Sequence, residues 1–201
     1  MKLITFEGIE GVGKSTQINL LNEWLISLGY SVKLLREPGS TNFGEKIRSL
    51  LLSKESKITY ETELLLMFAA RSEMIKNHLT QAKEDFILCD RFYHASIAYQ
   101  GYGRGLSLEF IDSLVDLIKC PIPELTIIYD LTVEKGFQRK TQDTIDRIES
   151  SGESFFKKVR TGYIDLATKR NEVHLIDANK SQDMIHEETK NLVTILINKL
   201  A

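Results

Sequence analysis

The stretch Gly8-Ile9-Glu10-Gly11-Val12-Gly13-Lys14-Ser15 decides the fold of this chain, because it matches the pattern G-x-x-x-x-G-K-[ST]. Apolar residues 3–6 come directly before it, and an amphipathic run over residues 14–28 follows. A strand, a glycine-rich turn and a helix in this order form a loop whose backbone N–H groups surround phosphate oxygens. In such a loop Lys14 reaches the β- and γ-phosphates of a nucleotide, and Ser15 ligates Mg²⁺. The stretch therefore predicts a nucleotide-binding phosphate loop.

Short apolar stretches alternate with helical periodicity along the rest of the chain. Strands are predicted over residues 3–6, 31–35, 86–89, 125–131 and 173–176. Helical patterns fill the intervals, over residues 14–28, 61–81, 107–119, 133–169 (with a charged interruption near 140–152) and 182–199. This alternation indicates an α/β fold, a five-stranded parallel sheet with helices on both faces. Since no repeat or linker interrupts the pattern, we expect a single domain over residues 1–201.

The composition excludes several classes of protein. The chain has 201 residues, 42% of them hydrophobic and 27% charged, and a net charge of −2, so we expect a folded protein and no general nucleic-acid binder. The longest apolar run, Leu64–Ala70, is too short to cross a membrane, so we expect no membrane partner. Two cysteines, Cys89 and Cys120, build neither a disulfide framework nor a four-ligand zinc site, which favours the cytoplasm.

Charged residues follow two of the predicted strands. Arg36 comes directly after the second strand, and Asp90 and Arg91 come directly after the third. The carboxyl ends of parallel strands lie at one edge of a sheet, which also carries the phosphate loop. Arginines there can bind the phosphate of an acceptor, and Asp90 can organise Mg²⁺ or Arg91. The pattern favours a small-molecule kinase.

The order of the motifs resembles bacterial thymidylate kinases. The resemblance runs from residue 3 to about residue 177 and is carried by G-I-E-G-V-G-K-S, R-E-P-G-S-T, F-A-A-R, D-R-F and S-I-A-Y-Q-G-Y-G-R-G. It implies a P-loop kinase of three layers with a mobile lid, and a reaction that transfers the γ-phosphoryl group of ATP to dTMP, giving dTDP. It also implies Mg²⁺ as cofactor and a homodimer.

The resemblance assigns roles to individual positions. The implied catalytic residues are Lys14, Arg91, Arg139 and Arg147. ATP would be bound by Gly8, Glu10, Gly11, Val12, Gly13, Lys14, Ser15 and Thr16. The metal would be held by Ser15 and Asp90. The acceptor dTMP would be bound by Glu10, Arg36, Arg48, Met67, Phe68, Arg71, Arg91, Ser96, Tyr99 and Gln100.

The helix that carries F-A-A-R departs from the family pattern. Met67 stands where thymidylate kinases usually have the phenylalanine that stacks on thymine. Met67 lies four residues before Arg71 and Phe68 lies three before it, so both are near Arg71 on the helix. Either side chain can cover the base, and the sequence leaves the choice between Met67 and Phe68 open.

The lid is assigned to residues of about 139–152. Some thymidylate kinases carry an arginine in the phosphate loop after the acidic residue, but this chain has Gly11 there. The resemblance is therefore to the bacterial type, in which the lid supplies the catalytic arginine. Arg139 and Arg147 are the candidates, and Lys140 is a weaker one because it carries a point charge rather than a planar fork.

Two alternatives to a dTMP kinase remain at this stage. One is a kinase for another nucleoside monophosphate or a nucleoside, and the other is a P-loop protein that binds nucleotide without transferring phosphate. In every case we expect an uneven charge distribution. The site cations should converge on one polyanion while the balancing carboxylates lie mostly elsewhere; these cations are Lys14, Arg36, Arg48, Arg71, Arg91 and the lid arginines.

Overall fold

A computed structural model describes residues 1–140 and 146–198 of the chain. Five parallel strands form one sheet in the order β2-β3-β1-β4-β5. The strands are β1 (Lys2–Glu7), β2 (Val32–Arg36), β3 (Phe86–Asp90), β4 (Leu125–Asp130) and β5 (Val173–Asp177). The predicted number, position and direction of the strands are confirmed.

The strand register places the charged strand ends beside the phosphate loop. Phe6 of β1 is level with Asp90 of β3 on one side and with Ile127 of β4 on the other. Arg36 of β2 is in turn level with Asp90. The carboxyl ends of the central strands therefore lie at one edge of the sheet, as the sequence predicted.

Eight α-helices are present in the described residues. They are α1 (Lys14–Ser27), α2 (Asn42–Leu52), α3 (Tyr60–Met74), α4 (Tyr93–Ser96), α5 (Leu108–Leu117), α6 (Val133–Arg139), α7 (Glu153–Lys169) and α8 (Gln182–Asn198). Two π-helical segments, Ile75–Leu79 and Ile97–Gly103, continue α3 and α4, and a 3₁₀ turn, Glu149–Ser151, precedes α7. Helix α2 and the segment from Tyr93 to Gly103 had no counterpart in the sequence-based prediction.

The core lies on both faces of the sheet. Residues Leu125–Tyr129 of β4 are buried throughout, as expected for a strand covered by helices on both sides. The free thiol of Cys89 is buried in this core and that of Cys120 is half-buried. In the part of the chain that the structure describes, no helix is both long and apolar enough to cross a membrane.

Candidate active site

A cavity of about 520 Å³ opens at the carboxyl edge of the sheet. The phosphate loop forms one side of it, the ends of β2 and β3 form the floor, and α3 with the segment from Tyr93 to Gly103 forms the far wall. Lys14 of the phosphate loop and Gln100 of the far wall both line this one cavity. Most of the residues predicted for acceptor binding lie in this lining, namely Glu10, Arg36, Arg48, Met67, Arg71, Arg91, Ser96, Tyr99 and Gln100.

The phosphate loop is packed tightly against helix α6. Gly11 has φ +76°, and a Cβ atom there would lie 2.1 Å from the carbonyl oxygen of Gly136. A Cβ on Gly136 would in turn lie 2.6 Å from the carbonyl oxygen of Glu10. Two backbones can approach this closely only because both positions are glycine. The loop that would hold the nucleotide phosphates is thus fixed to the helix that leads into the predicted lid.

Lys14 is folded back onto its own loop. Its Nζ donates to the carbonyl oxygens of Gly8 at 3.3 Å and Ile9 at 3.2 Å. Burial and the nearby Arg91 lower the pKa of Lys14. The ammonium group lies beside the space that phosphate oxygens occupy in phosphate loops of this type.

Arg91 links the end of β3 to the phosphate loop. Its Nη1 donates to the carbonyl oxygen of Gly8 at 3.0 Å and to the Tyr163 hydroxyl at 3.2 Å, and its Nη2 lies 2.5 Å from Glu10 Oε1. Burial raises the pKa of Glu10, but attraction to Arg91 and Lys14 outweighs burial and brings that pKa to about 2. The guanidinium also lies over the ring of Tyr99, 4.9 Å from its centroid. These contacts hold Arg91 between the phosphate loop and the far wall of the cavity.

Glu7 supports Arg91 through the hydroxyl of Tyr163, which accepts from Arg91 and donates to Glu7. The sequence analysis missed this role. The two carboxyl oxygens of Glu7 accept from the Phe92 backbone N–H at 2.8 Å and from the Tyr163 hydroxyl at 2.7 Å. Burial raises the pKa of Glu7 to about 7, although Arg91 and the two donors lower it. A carboxylate at the end of an otherwise apolar strand was the signal that could have revealed it. Nothing in the local sequence identifies its partner Tyr163, 156 residues away.

Ser15 and Asp90, the two residues predicted to hold a metal ion, both belong to the cavity lining. Asp90 Oδ1 is buried and has no hydrogen-bond partner among the described residues, whereas the Ser15 side chain is exposed. A carboxylate oxygen and a hydroxyl are oxygen ligands of the kind that Mg²⁺ prefers, and Mg²⁺ usually takes its remaining ligands from water and phosphate. The two residues therefore fit a magnesium ion that arrives with a nucleotide.

Arg71 is a buried residue of the far wall of the cavity. Its Nε donates to Glu37 Oε2 at 2.7 Å, and both its Nη1 and its Nη2 donate to Ser96 Oγ at 3.2 Å. The guanidinium lies over the Phe68 ring, 4.6 Å from the centroid. Phe68 is buried in the core and does not line the cavity, whereas the half-buried Met67 does. Glu37, which the sequence analysis did not assign to the site, has its other oxygen buried without a partner among the described residues.

Arg36 and Arg48 lie at the mouth of the cavity. Arg36 is exposed, and its Nη2 donates to Glu45 Oε2 at 2.9 Å. Arg48 Nη1 donates to the Pro38 carbonyl oxygen at 3.0 Å. Helix α2 positions both Arg48 and Glu45, so this unpredicted helix brings two charged groups to the site.

The two candidate lid arginines point away from the cavity. Arg139 Nη2 donates to the Ala178 carbonyl oxygen at 3.1 Å, and Arg147 donates to the Leu51 carbonyl oxygen and to Glu63 Oε2, both at 2.8 Å. Lys140 lines the cavity and forms an ion pair with Glu149. Residues 141–145, which the sequence analysis assigned to the lid, lie outside the described residues.

The expected separation of positive and negative charge is wrong. The described part of the cavity lining contains the cations Lys14, Arg36, Arg48, Arg71, Arg91 and Lys140, but it also contains the carboxylates Glu10, Glu37, Asp90, Asp146 and Glu149. Buried guanidiniums need partners, because an unpaired buried charge is very costly. Glu10 and Glu37 are therefore inside the site, where they orient Arg91 and Arg71. Glu149 forms an ion pair with Lys140.

The phosphate loop lies on a parallel sheet and faces arginines and the far wall across one cavity. This arrangement defines the class of P-loop phosphotransferases. Comparison with known proteins specifies the family. The sequence profile of the family described as "Thymidylate kinase" matches residues 6–189. The chain belongs to the thymidylate kinase family, and the resemblance found in its motifs is confirmed.

Individual relatives agree with this assignment. The chain is 42% identical over 201 residues to a thymidylate kinase of Ruthia magnifica, covering 97% of this chain and 98% of that protein. It is 41% identical over 195 residues to a thymidylate kinase of Thermosipho africanus, covering 94% and 96%. A crystal structure of thymidylate kinase from Ehrlichia chaffeensis superposes with a TM-score of 0.77 at 34% identity, covering 96% and 98%. The predicted P-loop kinase fold is confirmed by this similarity.

Proposed function

We propose that this chain transfers the γ-phosphoryl group of ATP to dTMP, giving dTDP and ADP. The observation that carries the proposal is the single cavity in which the phosphate loop faces the Arg71–Ser96–Gln100 wall. In this reaction an oxygen of the dTMP phosphate bonds to the γ-phosphorus, and the bond from the γ-phosphorus to the β–γ bridging oxygen breaks. The acceptor is already an oxyanion, so the protein mainly positions the groups and stabilises their charge.

The proposed division of roles follows the geometry. Lys14 and the loop residues Gly8–Thr16 bind the ATP phosphates, and Ser15 with Asp90 holds Mg²⁺, which supplies charge neutralisation on the phosphates. Arg91, which is held by Glu10 and Gly8, stabilises the charge where the two phosphate groups meet. Arg36 and Arg48 contact the acceptor phosphate from the mouth of the cavity.

The base-binding wall distinguishes the nucleotide. Arg71, Ser96 and Gln100 offer polar groups to the thymine edge, and Tyr99 packs beside the sugar. Met67 covers the base, since it is the one of the two candidates that lines the cavity. Phe68 contributes indirectly, because its ring supports the Arg71 guanidinium.

The remaining parts of the proposal concern the whole chain. Residues 1–201 form one kinase domain with a lid over about 139–152, and the chain works as a cytoplasmic homodimer. The dimer is supported by the family resemblance, and the cytoplasm is supported by two free thiols. Sedimentation equilibrium tests the dimer: a mass near twice 23.0 kDa supports it, and a mass near 23.0 kDa contradicts it.

The experiment for the reaction is a coupled assay of ADP release from ATP and Mg²⁺ with a panel of acceptors. We expect the highest kcat/KM with dTMP. A preference for dCMP, AMP or thymidine would select a different kinase, and the absence of turnover with every acceptor would select a nucleotide-binding protein without transferase activity.

A further inference from the structure

Glu63 of helix α3 is a fully buried carboxylate directly behind the base-binding wall. It does not line the cavity, but it contacts a residue that does. The Nε2 atom of Gln100 donates to Glu63 Oε1 at 2.8 Å, and both side chains are almost completely shielded from solvent. The environment of Gln100 on its inner side is therefore set by Glu63.

Two arginines donate hydrogen bonds to Glu63. Arg147 Nη2 lies 2.8 Å and Arg104 Nη2 lies 3.3 Å from Glu63 Oε2. Arginine N–H groups can only donate, and they approach both oxygens of Glu63, Arg104 Nε lying 3.4 Å from Oε1. Glu63 therefore acts as the acceptor in these contacts. The group that Gln100 presents to Glu63 must therefore be its NH₂.

This contact determines which end of the Gln100 amide faces a bound base. The two ends of a carboxamide point in different directions, so an NH₂ group held by Glu63 leaves the Gln100 oxygen, Oε1, available to the cavity. An amide oxygen accepts a hydrogen bond from the N3–H of thymine or uracil. Cytosine has a lone pair at N3, and two acceptors facing each other repel.

We infer that Glu63 is a specificity-positioning residue, which fixes the Gln100 amide so that the site selects pyrimidines with an N3–H over cytosine. The inference rests on the proposed function, since it concerns the acceptor base of that reaction. Glu63 acts through Gln100 and touches no substrate.

The test is the ratio of kcat/KM for dTMP to kcat/KM for dCMP, measured for wild type and Glu63→Gln. The introduced amide can donate to Gln100 Oε1, so Gln100 is free to turn its NH₂ towards the cavity and accept cytosine. We expect the ratio to fall by about tenfold or more, the effect of one mismatched buried hydrogen bond. A general loss of activity with an unchanged ratio would overturn the inference.

The matched control is Arg104→Gln, which removes one charge beside Glu63 but leaves its contact with Gln100. We expect a lower melting temperature and an unchanged dTMP-to-dCMP ratio. A ratio that falls as far as in Glu63→Gln would contradict the inference, because general loosening of the wall would then explain both variants.

A second measurement needs no variant and tests the acceptor at Gln100 that the inference requires, if Glu63→Gln does not fold. Wild type is titrated with dTMP and with N3-methyl-dTMP, which lacks the N3 proton. Binding weakened by about tenfold or more supports a fixed acceptor at Gln100, and equal affinity overturns it. A wild-type enzyme that does not use dTMP would refute the proposed function itself, whereas a dTMP-selective enzyme with an unaltered ratio in Glu63→Gln would refute only the role of Glu63.

Discussion

At the scale of single residues, Asp90 carries the metal hypothesis, because its buried Oδ1 has no partner in the described part of the chain. We predict that Asp90→Asn lowers kcat about a hundredfold at low millimolar Mg²⁺, since a neutral amide binds a hard cation poorly, and that higher Mg²⁺ restores part of the loss. The measurement is kcat as a function of Mg²⁺ concentration.

Asp116→Asn on the exposed side of α5 makes the same chemical change away from the cavity and should leave the Mg²⁺ dependence unaltered. A wild-type Mg²⁺ profile in Asp90→Asn would show that Asp90 serves only to position its neighbours.

Glu7 should make the stability of the protein depend on pH. Burial raises its pKa from 4.5 to about 7, so the folded state binds more protons than the unfolded state between these values. The contribution of Glu7 to stability is therefore fully present below pH 4.5 and falls as the pH rises to about 7, by on the order of 3 kcal/mol. Above pH 7 its contribution is constant.

The measurement is the free energy of unfolding in urea for wild type and Glu7→Gln at pH 5 and pH 8. The amide can accept from Phe92 and donate to Tyr163, so the variant keeps both contacts without titrating. We expect the variant to gain stability relative to wild type on going from pH 5 to pH 8. An equal difference at both pH values would show that Glu7 does not titrate in this range.

The residues that the sequence predicted and those that it missed differ in how far apart their partners are. Lys14, Ser15, Asp90 and Arg91 follow from a local pattern, because a strand end and the loop after it are contiguous. The support of Arg91 by Glu7 and Tyr163 joins residues 156 positions apart, and no local pattern encodes such a pair.

At the scale of secondary-structure elements, the contact between the phosphate loop and α6 should be intolerant of any side chain. We predict that Gly11→Ala lowers the free energy of unfolding by more than the ~1–2 kcal/mol that positive φ alone costs, and weakens ADP binding, because its Cβ would meet the Gly136 carbonyl at 2.1 Å. Urea unfolding and ADP titration measure the two effects.

Gly29→Ala isolates the conformational cost, since Gly29 has φ +87° and a Cβ there would meet nothing within 4 Å. It should destabilise the protein with no change in ADP affinity. Equal effects of the two substitutions would mean that the loop and α6 can separate freely.

The lid should supply charge to the transferring phosphoryl group. We predict that Arg139→Ala or Arg147→Ala lowers kcat about a hundredfold with little change in the KM for dTMP, the effect of losing one transition-state donor. For either arginine to act, it must first leave its contact with the Ala178 carbonyl or with Glu63. Wild-type kcat in both variants would refute the lid hypothesis, and Lys140→Ala would then test the lysine that already lines the cavity.

The elements themselves were predicted unevenly. All five strands and the long helices could be recognised because each has a continuous apolar run or a clear period. Helix α2 was missed, although Thr41 caps its first turn and Ile47 and Leu51 are spaced four apart on its buried side. The π-helical segment Ile97–Gly103 has no sequence rule of its own, since its shape depends on packing against α7, where Tyr99 meets Phe155 and Phe156.

At the scale of the whole molecule, the near-neutral net charge has a counterpart inside the site, where Arg71 is paired with Glu37 and Arg91 with Glu10. Ligands should therefore bind through shape and directed hydrogen bonds as well as charge. We predict that dTMP at about 100 times its Kd adds ~2.7 kcal/mol to stability and raises the melting temperature by roughly 5–10 °C.

Thermal unfolding with dTMP, thymidine and inorganic phosphate, each at the same concentration, measures this. Thymidine lacks the phosphate and phosphate lacks the base, so each should produce a much smaller shift. If inorganic phosphate alone raised the melting temperature as much as dTMP, the site would bind only the anion and the base-binding wall would contribute nothing to binding.

The paired glycines at positions 11 and 136 also constrain how this enzyme can be re-engineered. Neither position can carry a side chain, because a Cβ on either residue would lie within 2.6 Å of the backbone of the opposite element. Grafting an arginine-bearing loop from a distant relative onto this scaffold would fail unless the helix starting at Val133 came from the same donor. The loop and the helix are a single transplantable unit, and a chimera should be cut outside both of them.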